Sequence, residues 1–171
     1  VLPLDRTGEL SGEGTDETGT GVEVGAVNRT VGAGGSSYPQ RHAPAPHAPK
    51  IRVLLVDDHL MLRQGLRTIV NHHPWLEVVG EAGDGLEAIE LVRTHKPEVV
   101  VMDINMPRCD GVTATRRIKE EFPHMKIVAL SMHNSADMFE RMTQAGASGH
   151  LTKESAGDEL CRAIIDAATS E

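Results

Sequence analysis

No apolar stretch in this sequence reaches the roughly 18 to 20 residues needed to cross a bilayer, so no membrane-spanning helix is expected. Cysteine is nearly missing. Cys109 and Cys161 are too few and too far apart for a disulfide framework or a zinc site. Positive charge is in deficit, with 17 Lys and Arg against 25 Asp and Glu and a formal net charge of −8. Direct nucleic-acid binding by this chain is therefore not expected. The first residues show no basic start followed by an apolar core, hence no sign of a secretory leader. These absences together point to a reducing, cytoplasmic setting. The first residue is Val rather than Met, as expected of a processed, trimmed or incomplete chain.

At 171 residues there is length for one ordinary domain with a full core. Residues 1–49 have little to put into it. They hold 9 of the 17 glycines and 5 of the 9 prolines, with only isolated Val and Leu. Such a segment cannot bury enough apolar surface to offset the entropy of ordering it, so disorder is predicted for 1–49. Its last part, Ala43 to Pro49, alternates alanine and proline and reads as a stiff, extended spacer.

What the chain does contain begins at Ile51. Ile51 to Val56 is a short β-branched run ending in Asp57-Asp58, and Leu62, Leu66, Ile69 and Val70 then recur at helical spacing up to His73-Pro74. Leu76 to Ala82 reads as a second strand. Asp84-Gly85-Leu86-Glu87 resembles a capping box opening a helix through Val92. Val99 to Met102 is almost purely apolar and drives into Asp103, as a strand buried on both faces would. Asp110-Gly111 starts a third helix ending before Pro123, and Lys126 to Ser131 is a fourth strand. A fourth helix runs from about Ser135 to Ala145 with Gly146 as its stop. A fifth strand, Ser148 to Thr152, ends at Lys153, and Ser155 is placed to cap a last helix with Leu160, Ile164 and Ala167 on one stripe. Five strands alternating with five helices predict an α/β sandwich around a parallel sheet.

Ligands of open parallel sheets bind beyond the carboxyl ends of the strands, and four strands here finish at a polar group: Asp57-Asp58, Asp103, Ser131 and Lys153. With strands about 4.8 Å apart, neighbouring ends converge on one small site. Three carboxylates there repel one another by about 4 kcal/mol per pair at 4 Å and an effective dielectric near 20. A bound cation relieves this, and hard oxygens with few imidazoles favour magnesium over zinc. Magnesium and Lys153 would neutralise the oxygens of a phosphoryl group, Ser131 would donate a hydrogen bond to it, and Asp103 is placed to attack phosphorus. Singly, each of these residues is a common turn, cap or surface residue. Their joint appearance at four strand ends carries the reading.

These residues resemble the bacterial response-regulator receiver domain over about residues 50–169. The resemblance is carried by Val53-Leu54-Leu55-Val56-Asp57-Asp58-His59, by Met102-Asp103-Ile104-Asn105-Met106-Pro107 with Asp110-Gly111, by Ala129-Leu130-Ser131 and by Gly149-His150-Leu151-Thr152-Lys153. Val79-Gly80-Glu81-Ala82, Leu130-Ser131-Met132-His133 and Ala145-Gly146-Ala147-Ser148-Gly149 are similar to the subfamily that usually carries a C-terminal helix-turn-helix of the LuxR type. The resemblance implies a flavodoxin-like (βα)5 sandwich with strand order 2-1-3-4-5. It implies that Asp103 is the phosphoacceptor, served by the phosphohistidine of a sensor histidine kinase. Asp57, Asp58, Asp103 and the backbone carbonyl of Asn105 would hold Mg2+. Ser131 would be the switch hydroxyl, Lys153 the lysine that bridges to the phosphoryl group, and His150 the ring that turns inward on switching. Asn105, Met132 and His133 would tune the lifetime of the phosphorylated state, and a homodimer could form on phosphorylation.

Three positions depart from the usual pattern. Glu154 follows Lys153 where many receivers have proline; Met132 is bulkier than usual beside the switch hydroxyl; His150 replaces a more common Tyr or Phe. Only Asp166 to Glu171 follow Ile165, too few for a helix-turn-helix, so the chain is either a piece of a longer protein, which the subfamily favours, or a stand-alone receiver. Two other functions compete. A magnesium phosphohydrolase working through an aspartyl phosphate would normally place a second acid two residues after the nucleophile, where Asn105 stands. A scaffold receiver that is never phosphorylated would usually have lost one of Asp57, Asp58, Asp103, Ser131 or Lys153.

Overall fold

The structure, a computed structural model, describes residues 49–133 and 135–170. The disorder expected for 1–49 lies outside the described residues, apart from Pro49. Ten elements alternate along the chain: β1 (Ile51–Val56), α1 (Leu60–His72), β2 (Leu76–Ala82), α2 (Gly85–His95), β3 (Val99–Asp103), α3 (Gly111–Glu121), β4 (Lys126–Ser131), α4 (Ala136–Gln144), β5 (Gly149–Thr152) and α5 (Ala156–Thr169). The strands form one parallel sheet in the order β2-β1-β3-β4-β5. This is the order expected from the sequence.

Each face of the sheet has its own core, because alternate residues of a strand point to opposite sides. Val53, Leu55, Val99, Val101, Val128 and Leu130 pack with Leu66 and Val70 of α1 and Leu160 and Ile164 of α5. Leu54, Val56, Val100, Met102, Ile127 and Ala129 pack with residues of α2, α3 and α4, among them Ile89, Ile118 and Met142. All five residues of β3 are buried, as an apolar run on a central strand requires. Complete burial of a Val, Leu or Ile side chain contributes about 1.5–3 kcal/mol, so β3 is held from both sides. Among the described residues no helix is long and apolar enough to cross a membrane.

The helix starts show where local chemistry decides a boundary. Asp84 caps α2 by accepting hydrogen bonds from the Leu86 and Glu87 amides at 2.9 and 3.1 Å. The return arm of the expected capping box shifts by one residue, since the Glu87 carboxylate accepts from the Gly83 amide at 2.7 Å. α2 also runs past Val92 to His95, where Lys96 leaves the helix in the left-handed conformation. Ser155 differs from its expected role as a side-chain cap. It takes helical dihedrals, its hydroxyl bonds to Thr152 rather than to the first turn of α5, and it closes the β5–α5 turn instead.

Asp110 caps α3, accepting from the Thr113 amide at 2.9 Å and the Thr113 hydroxyl at 3.1 Å. Burial opposes the charge on Asp110, but the hydrogen bonds from Thr113 and Val112 outweigh it and hold the carboxyl below the usual carboxylate range. Asp110→Ala is expected to cost about 1 kcal/mol at pH 7. The depressed folded-state pKa makes this contribution complete above the unfolded carboxyl's value near ~3.9, and it is lost as pH falls through the folded value. Urea unfolding of both proteins at neutral and acid pH checks this. A difference that does not shrink in acid would contradict it.

Candidate functional site

The strand registers bring the polar strand ends together. Val56 of β1 lies opposite Met102 of β3, so the next residues, Asp57 and Asp103, come level at the carboxyl edge. Asp103 pairs with Leu130 and Ser131 with Thr152, so Ser131 and then Lys153 follow stepwise along the same rim. Beyond the last β4–β5 pair, the Lys153 amide donates to the Ser131 carbonyl at 2.8 Å and anchors the lysine backbone to β4. Connections leave β1 and β3 in opposite directions across the sheet. Asp57 and Asp103 thus occupy its topological switch point, the usual place for a ligand.

The Lys153 ammonium lies 2.7 Å from Asp57 Oδ2 and 2.9 Å from Asp103 Oδ2, and its side chain is only 4% exposed. Asp57 and Asp103 are each 1% exposed. Burial pushes the Asp103 carboxyl upward and Asp57 adds to this, while Lys153 pulls it back without cancelling the rise. Burial disfavours the Lys153 charge, but the two carboxylates outweigh it and hold the ammonium above the ordinary lysine range. One ammonium therefore serves two buried carboxylates. The ammonium and these two carboxylate oxygens have no other hydrogen-bond partner, so they answer one another.

The loop after β3 is fixed against β4 and the start of α3. The Ile104 amide donates to the Leu130 carbonyl at 3.0 Å, and the Gly111 amide donates to the Ile104 carbonyl at 2.9 Å. A Cβ on Gly111 would stand 2.1 Å from the Asp103 carbonyl oxygen, so only glycine fits this approach. The Asn105 amide faces Asp103 Oδ1 at 3.3 Å. Gly85 of α2 donates to the Cys109 carbonyl at 3.1 Å, and Arg108, at φ 64°, pairs with the buried Asp84 carboxylate. On the other side Arg63 of α1 bonds the Asp57 carbonyl and pairs with Glu81 at 3.1 Å.

The other expected site residues lie further out. Ser131 is buried, and its hydroxyl donates to the His133 carbonyl at 2.8 Å rather than to a carboxylate. Met132 and His133 are exposed beside it. His150 is exposed on β5 and stacks on Phe139 of α4, with ring centroids 4.1 Å apart and planes 24° from parallel. Phe139 went unnoticed in the sequence because helical spacing marks it only as core.

His59, quoted in the sequence motif but given no role there, also reaches the site. Its Nδ1 lies 3.2 Å from Asp57 Oδ1 and 3.0 Å from Asp58 Oδ1. One ligand atom from each of Asp57, Asp58, His59 and Asp103 falls within 4.8 Å of all the others, a donor set that fits a divalent cation. The sequence signal was its place directly after the acid pair.

Residues 53–165 match the family described as the response regulator receiver domain. The chain belongs to that family. The receiver is 40% identical over 115 residues to the transcriptional regulatory protein DegU of Brevibacillus brevis, covering 67% of this chain and 49% of that one. It is 41% identical over 114 residues to the response regulator UvrY of Escherichia coli, covering 67% of this chain and 52% of that protein. A crystal structure of a LuxR-family two-component response regulator from an Aurantimonas species matches with a TM-score of 0.67 at 38% identity, covering 70% of this chain and 85% of that one. The chain spans about half the length of the curated relatives it matches.

Proposed function

We propose that this receiver is a phosphorylation-controlled switch whose acceptor is Asp103. The observation that carries the reading is the buried Asp57–Lys153–Asp103 arrangement at the switch point of the sheet. A sensor histidine kinase is the donor. The bond between phosphorus and the kinase imidazole breaks, a carboxylate oxygen of Asp103 takes the phosphoryl group, and the imidazole leaves with the bonding pair. Asp57, Asp58, Asp103 and the carbonyl of Asn105 would hold Mg2+, which supplies neutralisation of the phosphoryl oxygens. Lys153 pairs with a phosphoryl oxygen in place of one of its carboxylates. The chain's own part is positioning and charge.

Switching follows from the Ser131 hydroxyl. Its bond to the His133 carbonyl breaks when it turns to the phosphoryl group, which shifts the β4–α4 loop and frees His150 from Phe139. The phosphoryl group biases this change only through contacts that differ between the two states. The face formed by α4, β5 and α5 then carries the signal, by pairing with a second copy or by releasing an output domain. The names of the relatives, transcriptional regulatory proteins, favour control of transcription as the output. DNA would be reached through a domain other than this one, and the setting is the cytoplasm. The receiver assists its own phosphorylation without being a turnover enzyme, for Asn105 stands where a phosphohydrolase would place its second acid.

The test is intact mass after incubation with acetyl phosphate and MgCl2. Wild type is expected to gain one phosphoryl group, and Asp103→Asn or chelation to abolish the gain. A short-lived adduct with continuous phosphate release would support the hydrolase, and no adduct in wild type would support the scaffold. Met132 is 48% exposed beside the switch hydroxyl. Met132→Ala is expected to raise the initial rate with acetyl phosphate severalfold, and an unchanged rate would remove Met132 as a shield.

A further inference from the structure

We propose that His59 is a metal ligand, and that it strengthens this pocket's preference for first-row transition dications of the Mn2+ to Zn2+ series over Mg2+. The inference rests on the receiver reading above, in which the neighbouring carboxylates hold the cation. His59 occupies the N-cap position of α1, but its side chain makes no capping bond. The ring turns to the acid pair instead, with Nδ1 at 3.0 Å from Asp58 Oδ1 and 3.2 Å from Asp57 Oδ1. Neighbouring ligands of an octahedral cation bound at about 2.1 Å lie about 3.0 Å apart. The imidazole nitrogen stands at about that spacing from each of two carboxylate oxygens, and Asp103 completes the group within 4.8 Å.

Two further features favour a ligand at this place. Asp57 and Asp103 are each 1% exposed, and the two buried carboxylates share a single ammonium, which leaves negative charge for a cation to answer. The His59 side chain is 58% exposed, so the ring is reachable from solvent while its nitrogen faces inward. Backbone geometry holds it there. The His59 amide donates to Asp57 Oδ1 at 2.8 Å and the His59 carbonyl accepts from Arg63 at 3.0 Å. Mg2+ prefers oxygen donors and keeps its waters, whereas imidazole nitrogen suits the later first-row ions. A three-carboxylate pocket already leans toward these ions, because Mg2+ gives up its waters reluctantly. One added nitrogen widens that preference, and the phosphorylation of Asp103 then depends on which dication fills the pocket.

Mn2+ is the probe, used on the full chain and on His59→Gln. His59 contributes no cap and is largely exposed, so the variant keeps the fold. Free Mn2+ is counted by electron paramagnetic resonance, and Mg2+ competition picks out the ion in the acidic pocket. Pulsed measurements on that ion are expected to show nitrogen-14 modulation in wild type and none in His59→Gln. Mn2+ affinity is expected to fall about tenfold in the variant, with Mg2+ affinity changed less than about twofold. Mg2+-displaceable Mn2+ without nitrogen modulation would overturn the inference, leaving His59 a hydrogen-bonding neighbour and the receiver reading intact. So would equal losses for both metals. No Mg2+-displaceable Mn2+ in wild type would overturn the metal site itself.

Discussion

Gly111→Ala is expected to lower the stability of the receiver by about 3–5 kcal/mol, near the top of what one substitution does. The added methyl would lie 2.1 Å from the Asp103 carbonyl oxygen, 2.9 Å from the Ile104 Cα and 3.0 Å from the Asp103 carbonyl carbon. All three are backbone atoms, so no side chain can rotate away to make room. Either α3 withdraws from the sheet, leaving a void beside Val112 and Ala114, or β3 bends at its last residue. Both routes break the Gly111–Ile104 hydrogen bond and move Asp103. Urea unfolding should show the loss, with Tm lower by roughly 10–20 °C, and phosphoryl uptake from acetyl phosphate should fall with it. Gly65 on α1 is the control. Nothing lies within 4 Å of its Cβ position, and Gly65→Ala should stabilise by about 0.5–1 kcal/mol. If Gly111→Ala loses less than about 1 kcal/mol, the close approach of α3 to Asp103 is not a constraint.

Lys153→Met has the second large expected effect, and it depends on metal. The substitution keeps the buried stem and removes the only ammonium within ion-pair distance of Asp57 and Asp103 among the described residues. Two buried carboxylates are then left facing each other. Removing one partner of a buried pair costs about 3–5 kcal/mol, because the remaining charges keep their desolvation penalty. In chelator the variant should therefore lose about that much in urea unfolding. A dication bound by the carboxylates restores part of the missing positive charge. At a free concentration of 100 Kd, binding to the folded state alone returns about 2.7 kcal/mol, and the tighter the variant binds, the more it recovers. Wild type should gain less from the same MgCl2, since its lysine already neutralises part of the site. Equal gains in both proteins would mean that Lys153 and the metal do not answer the same charge.

The strand ends were legible in the sequence because a parallel sheet converts strand order and length into position. Asp57, Asp103 and Ser131 each end an apolar run and Lys153 follows a short strand, and once the order is known the registers bring them to one rim. Loop side chains follow no such period. The turn of the His59 ring toward the acid pair, the left-handed Arg108 that reaches Asp84, and the Ser155 hydroxyl bound back to Thr152 depend on single dihedrals. No spacing encodes them. The Phe139–His150 stack is hidden for a different reason. It joins α4 to β5 through residues that look like ordinary core and surface on their own elements.

The two cores have a kinetic consequence. Every residue of β3 is buried, and the strand is hydrogen-bonded to β1 on one side and β4 on the other. Its amides can meet solvent only when the whole domain opens, so in hydrogen–deuterium exchange β3 should be among the last segments to lose its protons. The four-residue β5 is an edge strand with no fully buried residue, and it can peel from β4 alone. On the proposed reading the phosphoryl group would be received on backbone that breathes slowly, while the response would be drawn from a margin that opens more readily.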